Sequence, residues 1–480
     1  MSDQMKATAS HLYGSPFCET PGLAELASRG VLFEHAYTPH PLCVPARVAL
    51  WTGRYPHTTG ARRNETLMPE RENHAFRIWA DAGFSCGLIG KNHCFQTDAD
   101  LNRFDVCCEL SHLGLPNTRP PRGMDWPSSP DAIRRAHSVK ERITPEQSPR
   151  FSYAVTDFPL EHYSTGLVTE QTIRFLENHR DAPFALWVSY PDPHEPYEAP
   201  RRYAEMFQPD RLVLPPWNDR WDAAPERNRV LHAIMGMEED DPADVAGVLS
   251  VYYANVRFID DGVARILAAL ERLGLRENTI VVFCSDHGDF AGEHAMMVKG
   301  GVFYDALTRV PLIVSCPGLI PTGVTERSMA NLVDVVPTLL RLQGIKVPGA
   351  MQGAPLPGAS DGTPRMAAFS EYGAGGPAFT MDDLRRLPRP WGRRTLIASL
   401  RWREAEGRPK LVRTHDWKYV HDPMGDRDEL YHVSDDPWEH ENVADRPEHA
   451  PVVSEMRRLL ADWMIETEDA APVELPEIAR

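Results

Sequence analysis

The chain has 480 residues, 42% of them hydrophobic and 25% charged. Those proportions are ordinary for a globular protein and exclude a coiled coil, a collagen-like chain and wholesale disorder. With 51 basic and 68 acidic residues the net charge is −17. That argues against nucleic acid or an anionic membrane as partner, but allows a small anion in a locally basic pocket.

The length fits two or three domains, or one large α/β domain with a small companion. No stretch approaches about 18 uncharged apolar residues, so no transmembrane helix is expected. Met1-Ser2-Asp3-Gln4-Met5-Lys6 lacks the apolar run of a secretory leader, so a cytoplasmic location is expected. The eight cysteines form no CxxC pair and read as reduced thiols in that compartment. Proline, at 43 residues, predicts long, stiff connections.

In chain order, Thr20 reads as the N-cap of a helix that has Pro21 in its first turn and ends near Gly30. Residues 31–37 read as a strand, 43–52 as a helix entered through Pro45, 74–82 as a helix and 84–89 as a buried strand. Residues 92–156 are polar and rich in Pro and Arg, and read as loop or insertion. A helix follows over 165–179, a buried strand over 184–190 and a helix over 245–273. Residues 279–284 are almost continuously apolar, the pattern of a parallel strand buried on both faces. A strand over 312–315 and a helix over 332–342, despite Pro337, complete the α/β pattern. Beyond Gly344 the texture turns to Gly and Pro. Strands are expected there at 395–402, 410–413 and 418–420, with a closing helix over 450–468.

Five segments combine chemically capable side chains with strand ends or helix starts, where open α/β sheets bind ligands. They are Ser2-Asp3-Gln4, Cys43-Val44-Pro45-Ala46-Arg47, Lys91-Asn92-His93, Asp192-Pro193-His194, and Ser285-Asp286-His287-Gly288 with Lys299 beyond it. Asp286 and His287 leave a buried strand together. An oxygen-rich set with one nitrogen suits Ca²⁺, Mg²⁺ or Mn²⁺ better than Zn²⁺. Alone, the same turn also fits a surface Asp that caps a helix. Cys43 opens a helix with Arg47 one turn in, and both features lower a thiol pKa. A single Cys is otherwise most often a buried structural residue.

Cys43-Val44-Pro45-Ala46-Arg47 followed by Thr52-Gly53-Arg54-Tyr55-Pro56 and Gly60 resembles the sulfatase signature, C-x-P-x-R then TGxxP. Ser285-Asp286-His287-Gly288, Gly292-Glu293-His294 and Lys299-Gly300 resemble the second half of that family's metal site. Arg309-Val310-Pro311-Leu312, Glu429-Leu430-Tyr431 and Asp435-Asp436-Pro437 continue the likeness in order, to Glu441-Asn442. The resemblance implies an alkaline phosphatase-like fold, with a large, mostly parallel central sheet sandwiched by helices. It implies a catalytic domain over residues 1–345 and a smaller α+β subdomain over 346–480, with a small antiparallel sheet and the closing helix. No apolar strand precedes Asp3, so the first strand is expected to be missing upstream of residue 1, leaving a gap in the sheet and Asp3 poorly anchored.

In this family a separate formylglycine-generating enzyme oxidises the signature Cys to Cα-formylglycine, whose hydrated form attacks the sulfur of a sulfate ester. By resemblance Cys43 is that residue and Arg47 positions it. Lys91 and Lys299 hold sulfate oxygens, His194 is the general acid and His93 the base. Asn64 joins Lys91, His194 and Lys299 in substrate binding. One divalent cation, Ca²⁺ before Mg²⁺ or Mn²⁺, is implied on Asp3, Gln4, Cys43, Asp286 and His287. The family has an acid where Gln4 stands, so this site carries one negative charge fewer. Gln4 and Asn64 are similar to relatives that cleave phosphonate or phosphate diesters, whereas Lys91 and His93 resemble sulfatases proper. Three readings follow: a sulfatase acting on an aryl, alkyl or carbohydrate sulfate, a phosphonate monoester or phosphodiester hydrolase, and an inactive truncated homologue that binds anions. Residues 92–156 and 200–244 are candidate pocket walls. Arg385, Arg386, Arg389, Arg393 and Arg394, with Trp391, form either a contact for an acidic or sugar substrate or a solvated loop.

Overall fold

Short runs rich in Val, Ile, Leu and Phe supply the strands, because branched and aromatic side chains suit a pleated surface buried on both faces. In the computed structural model, which describes residues 1–117, 119–143, 152–217, 220–238 and 240–468, these strands form a central sheet in two halves. One half is parallel throughout, in the order Ser2–Asp3, Phe184–Pro193, Ser85–Lys91, Val106–Leu110. The other runs Val324–Glu326, Val31–Phe33, Leu312–Ser315, Val281–Cys284. A parallel bridge from Ser2 to Ser285 joins them. Within this sheet the Leu312–Ser315 strand is antiparallel to both its neighbours. The expected α/β fold with a mostly parallel sheet is therefore the observed one.

Alternation along each strand sends side chains to two cores. Ile89, Val106 and Cys108 face the helices Ser164–Asn178 and Pro242–Arg272, whose buried residues include Val168, Phe175 and Leu267. Leu88, Cys107 and Trp187 face the opposite layer, built by the helices Cys43–Thr52, Ala75–Asp81 and Val335–Leu342. Gly90 is required where it stands: its φ is +106°, and a Cβ there would lie 1.9 Å from the Ser189 carbonyl oxygen. The close approach brings the end of the Ser85–Lys91 strand against its neighbour and delivers Lys91 to the site.

Several sequence expectations are corrected. A strand does end at Asp3. The Met1 ammonium donates to the Val188 carbonyl (2.9 Å), Tyr190 N–H donates to the Met1 carbonyl (2.9 Å), and the Ser285 hydroxyl donates to the Ser2 carbonyl (3.1 Å). Those bonds supply the anchoring that an apolar run was expected to give, and Asp3 is fully buried. Residues 31–37 form two short strands, Val31–Phe33 and Ala36–Tyr37, separated by a turn at 34–35. The run ending at Cys284 pairs antiparallel with Leu312–Ser315, although its apolar pattern reads as parallel. Burial on both faces gives the same pattern in either direction. Residues 92–156 hold the helix Asp98–Leu101, the edge strand Val106–Leu110, the helix Pro130–Arg142 and the strand Tyr153–Thr156; positions 118 and 144–151 lie outside the described residues. Residues 395–402, expected as a strand, lie in the helix Arg393–Arg403, with Leu396, Ser399 and Arg403 buried at helical spacing. Thr20 precedes the helix Pro21–Ser28 without capping it; the Asp260 carboxylate accepts from Gly22 N–H (3.0 Å) and Leu23 N–H (2.7 Å) instead. Pro337 is tolerated in the first turn of Val335–Leu342, where its missing N–H is no loss.

Toward the C-terminus, the strands Ala368–Glu371, Lys410–Arg413, Trp417–His421 and Glu429–His432 form an antiparallel sheet, and the helix Ala450–Glu466 follows. All eight cysteines are unpaired and buried.

Candidate active site

The carboxyl ends of three neighbouring strands converge on the first turn of the Cys43–Thr52 helix. Asp3 comes from one strand, Lys91 from the second and His194 from just beyond the third. Asp286 and His287 follow the Val281–Cys284 strand on the other side of Asp3. Cys43 is the first residue of its helix, so its sulfur sits where the unsatisfied N–H groups and the helix dipole favour negative charge. Ligand atoms of Asp3, Cys43, Asp286 and His287 all lie within 4.8 Å of one another, and all four residues are buried. The Cys43 Sγ is 3.1 Å from His287 Nε2, 3.9 Å from Asp3 Oδ1 and 4.0 Å from Lys91 Nζ.

Arg47, one turn along the helix and fully buried, ties the two carboxylates together. Its Nη2 donates to Asp3 Oδ2 (2.7 Å) and its Nε to Asp286 Oδ2 (2.8 Å). Nη1 donates to the Lys91 carbonyl (2.8 Å) and the Ser189 hydroxyl (3.1 Å), and the guanidinium lies 5.6 Å from the centre of the Trp187 ring. Asp286 Oδ1 accepts from the backbone N–H of Gln4 (3.1 Å) and of His287 (3.0 Å). Lys91 Nζ pairs with Asp3 Oδ2. Burial and the Cys43 sulfur push the Asp3 carboxyl up; Lys91 and Arg47 outweigh them and hold it well below the usual carboxylate range. Burial likewise works against the Cys43 thiolate, yet Lys299, Lys91 and His287 hold the thiol well below its ordinary value.

His287 Nδ1 is bound to the Gly288 carbonyl (2.9 Å), which fixes that nitrogen as the N–H and leaves the Nε2 lone pair facing the cluster. Two carboxylates and a so-oriented imidazole form a donor set that fits a divalent cation. Gln4 sits beside it rather than with it. Its φ is +69°, its amide oxygen accepts from Lys299 Nζ (2.5 Å), and its amide nitrogen donates to Asp289 Oδ2 (2.6 Å) and Glu195 Oε2 (3.1 Å). Burial would drive the Glu195 carboxyl up, but His194, Lys299 and Arg393 bring it down to about 2.

His194 Nδ1 is bound to the Glu195 carbonyl (2.5 Å), and the ring reaches the Cys43 thiol. His93 leaves its strand with φ +45° and stands exposed at the mouth, also in reach of that thiol. Asn64 does structural work. Its Oδ1 accepts from Val44 N–H (3.1 Å), capping the Cys43 helix from outside, while its backbone N–H and Nδ2 donate to the two Glu404 carboxylate oxygens (3.0 and 2.9 Å). Asn64→Ala removes the cap and one of the two donors to Glu404, and is expected to cost about 1–3 kcal/mol in thermal unfolding. A melting midpoint unchanged within about 1 °C would reject the capping role.

Of the basic stretch, Arg393 alone turns inward, with Nη2 3.9 Å from Glu195 Oε1. Arg385 and Arg386 pair with Asp382 and Asp383, Arg389 stacks on Trp391 at 4.3 Å, and Arg394 is exposed. Glu195, Asp289, Glu404 and His112 are not among the expected site residues. His112 stands exposed beside His194, ring centres 6.2 Å apart. Glu195 and Asp289 adjoin the quoted motifs and were the most findable of the four.

The fold is α/β, with a central, mostly parallel sheet and an acid, imidazole and thiol cluster at the carboxyl ends of its strands. The chain belongs to the sulfatase family, whose members are sulfuric ester hydrolases: the family model described as Sulfatase matches residues 1–345. It is 30% identical over 354 residues to an ulvan-active sulfatase of Formosa agariphila, covering 72% of this chain and 61% of that protein. It is 26% identical over 499 residues to a choline-sulfatase of Rhizobium meliloti, covering 98% and 87%. Among solved structures, the phosphonate monoester hydrolase of Agrobacterium radiobacter superposes with a TM-score of 0.77 at 22% identity, covering 97% of this chain and 94% of that one. Among the described residues no helix is long and apolar enough to cross a membrane.

Proposed function

We propose that the protein hydrolyses a sulfate ester, with Cys43, converted to formylglycine by a separate maturing enzyme, as the attacking residue. The observation that carries this reading is the 4.8 Å cluster of Asp3, Cys43, Asp286 and His287. Hydrated formylglycine supplies a hydroxyl nucleophile, so the Cys43 sulfur marks the position of an oxygen. Asp3, Asp286 and His287 would hold a divalent cation, Ca²⁺ in preference to Mg²⁺ or Mn²⁺, with Gln4 alongside. When bound, the cation polarises sulfate oxygens and lowers the pKa of a neighbouring hydroxyl.

The chain's own groups do the rest. Arg47 locks Asp3, Asp286 and the end of the Lys91 strand into one frame, so the first turn of the Cys43 helix cannot drift from the carboxylates. Lys91 and Lys299 present fixed positive charge to the sulfate oxygens, where charge builds in the transition state. The bond of His194 Nδ1–H to the Glu195 carbonyl orients the ring, and in the imidazolium form, with the Glu195 carboxylate 3.1 Å from Nδ1, its Nε2–H donates the proton to the departing alcohol oxygen. His93, at the mouth, is placed to take a proton when sulfate is expelled.

A second reading, phosphonate or phosphodiester hydrolysis, is favoured by Gln4 standing where the family has an acid. Initial rates on paired p-nitrophenyl sulfate and p-nitrophenyl phenylphosphonate, with matured enzyme, separate the two. The expected kcat/KM is higher for the sulfate; a higher value for the phosphonate overturns the first reading in favour of the second. No turnover of either by enzyme whose Cys43 is fully converted would leave the anion-binding homologue.

A further inference from the structure

A second basic site lies away from the cluster. A cavity of about 440 Å³ is lined by Arg62, Arg408, Lys410 and His421, in a chain whose net charge is −17. The helix Ala450–Glu466 lines it as well, with Arg457 and the apolar Leu460 and Met464 on one face. Two carboxylates offset part of the charge. Glu371 takes Lys410, and Asp428 takes Arg457 Nη2 (2.6 Å) and His421 Nδ1 (2.8 Å). Arg62 and Arg408 have no carboxylate within ion-pair distance among the described residues. Arg62 Nη2 reaches the His57 carbonyl at 3.4 Å. The Arg408 guanidinium lies over Gly375, where a Cβ would come within 2.7 Å of Nε. Of the four permanent cations, Lys410 and Arg457 are paired with carboxylates, and Arg62 and Arg408 are not.

Guanidinium groups without a carboxylate partner match planar or tetrahedral oxyanions, and the apolar side chains beside them match a ring. The volume falls in the range of roughly 300–1,000 Å³ that holds small ligands. We propose that this cavity is a second, non-catalytic binding site for an organic oxyanion: a sulfate, sulfonate, phosphate or carboxylate group carried on one or two rings. The anion lies between Arg62 and Arg408 and the ring against Leu460 and Met464. None of the lining residues belongs to the cluster around Cys43, so the proposal stands whatever ester that cluster cleaves.

Isothermal titration of the full chain with benzenesulfonate, which has no ester to hydrolyse, tests it against inorganic sulfate and neutral benzenesulfonamide. The wild type is expected to bind one more equivalent of benzenesulfonate than the R62Q/R408Q variant. At that site inorganic sulfate should bind at least about tenfold more weakly than benzenesulfonate, and benzenesulfonamide should not register. Ala461→Asp, at an exposed position of the same cavity, adds a carboxylate to its lining and should abolish the same equivalent without touching the core. Equal stoichiometry in the wild type and Ala461→Asp overturns the site. Inorganic sulfate binding there as tightly as benzenesulfonate overturns the ring-bearing ligand.

Discussion

Cys43→Ala is expected to lower kcat on p-nitrophenyl sulfate by at least about 10⁴-fold while the protein stays folded. Eight thiols are buried in this chain, and burial pushes seven of them up: Cys108 and Cys284 to about 11, Cys86 and Cys107 to about 12, and Cys18, Cys94 and Cys316 in the same direction. Cys43 alone goes the other way, because Lys299, Lys91 and His287 face it. Removing its side chain takes away the thiol that faces those cations, yet leaves Arg47 and its two carboxylates paired, so the frame survives. Circular dichroism of the variant should match the wild type. In wild-type protein from a host that matures it, the Cys43 peptide should weigh about 18 Da less than its cysteine form. A variant that retains more than about a hundredth of wild-type turnover would remove Cys43 from the reaction.

The segments that meet around Cys43 were legible because each is a short, local pattern of chemically unusual residues. Asp286 beside His287, or Cys43 one turn before Arg47, needs no knowledge of the fold to be noticed. The groups that steer those residues were not legible, because their relation is tertiary. Asn64 reads as a ligand for substrate, yet both ends of its amide are occupied by Val44 and Glu404, a residue 340 positions away. Gln4 reads as a neutral oxygen donor to a cation, and its oxygen is turned to Lys299 instead. Strand direction failed for the same reason: a run buried on both faces carries no mark of which way its neighbours point. The 395–402 segment misled because Thr, Leu and Ile at its start suit a strand, while the burial of Leu396, Ser399 and Arg403 is a helical spacing that only packing reveals. Asp3 was expected to be loosely held because it lacks the apolar run of a strand before it. Anchoring came from the Met1 ammonium, a backbone bond from Tyr190 and the hydroxyl of distant Ser285, and such tertiary bonds leave no trace in the residues beside Asp3.

Arg47→Met is expected to destabilise the fold by about 3–5 kcal/mol in metal-free buffer, the usual cost of removing one partner from a buried ion pair. Methionine fills much of the volume and keeps contact with Trp187, so packing is the smaller loss. The larger one is electrostatic. Asp3 Oδ2 and Asp286 Oδ2 both lose their guanidinium partner in a fully buried site. The Lys91 carbonyl and the Ser189 hydroxyl lose a donor in the same step. Arg47→Lys keeps the charge but has one nitrogen where the guanidinium has three, so it cannot reach both carboxylates and a carbonyl at once; its loss should fall between the two. Millimolar Ca²⁺ should then raise the melting temperature of Arg47→Met more than that of the wild type, because the unpaired carboxylates gain most from a cation; at 100 times Kd such binding returns about 2.7 kcal/mol. Differential scanning calorimetry with EDTA and with Ca²⁺ reads both effects. A variant that melts with the wild type in EDTA would mean that the two carboxylates are not held by Arg47, and the frame assigned to the site would have to be rebuilt without it.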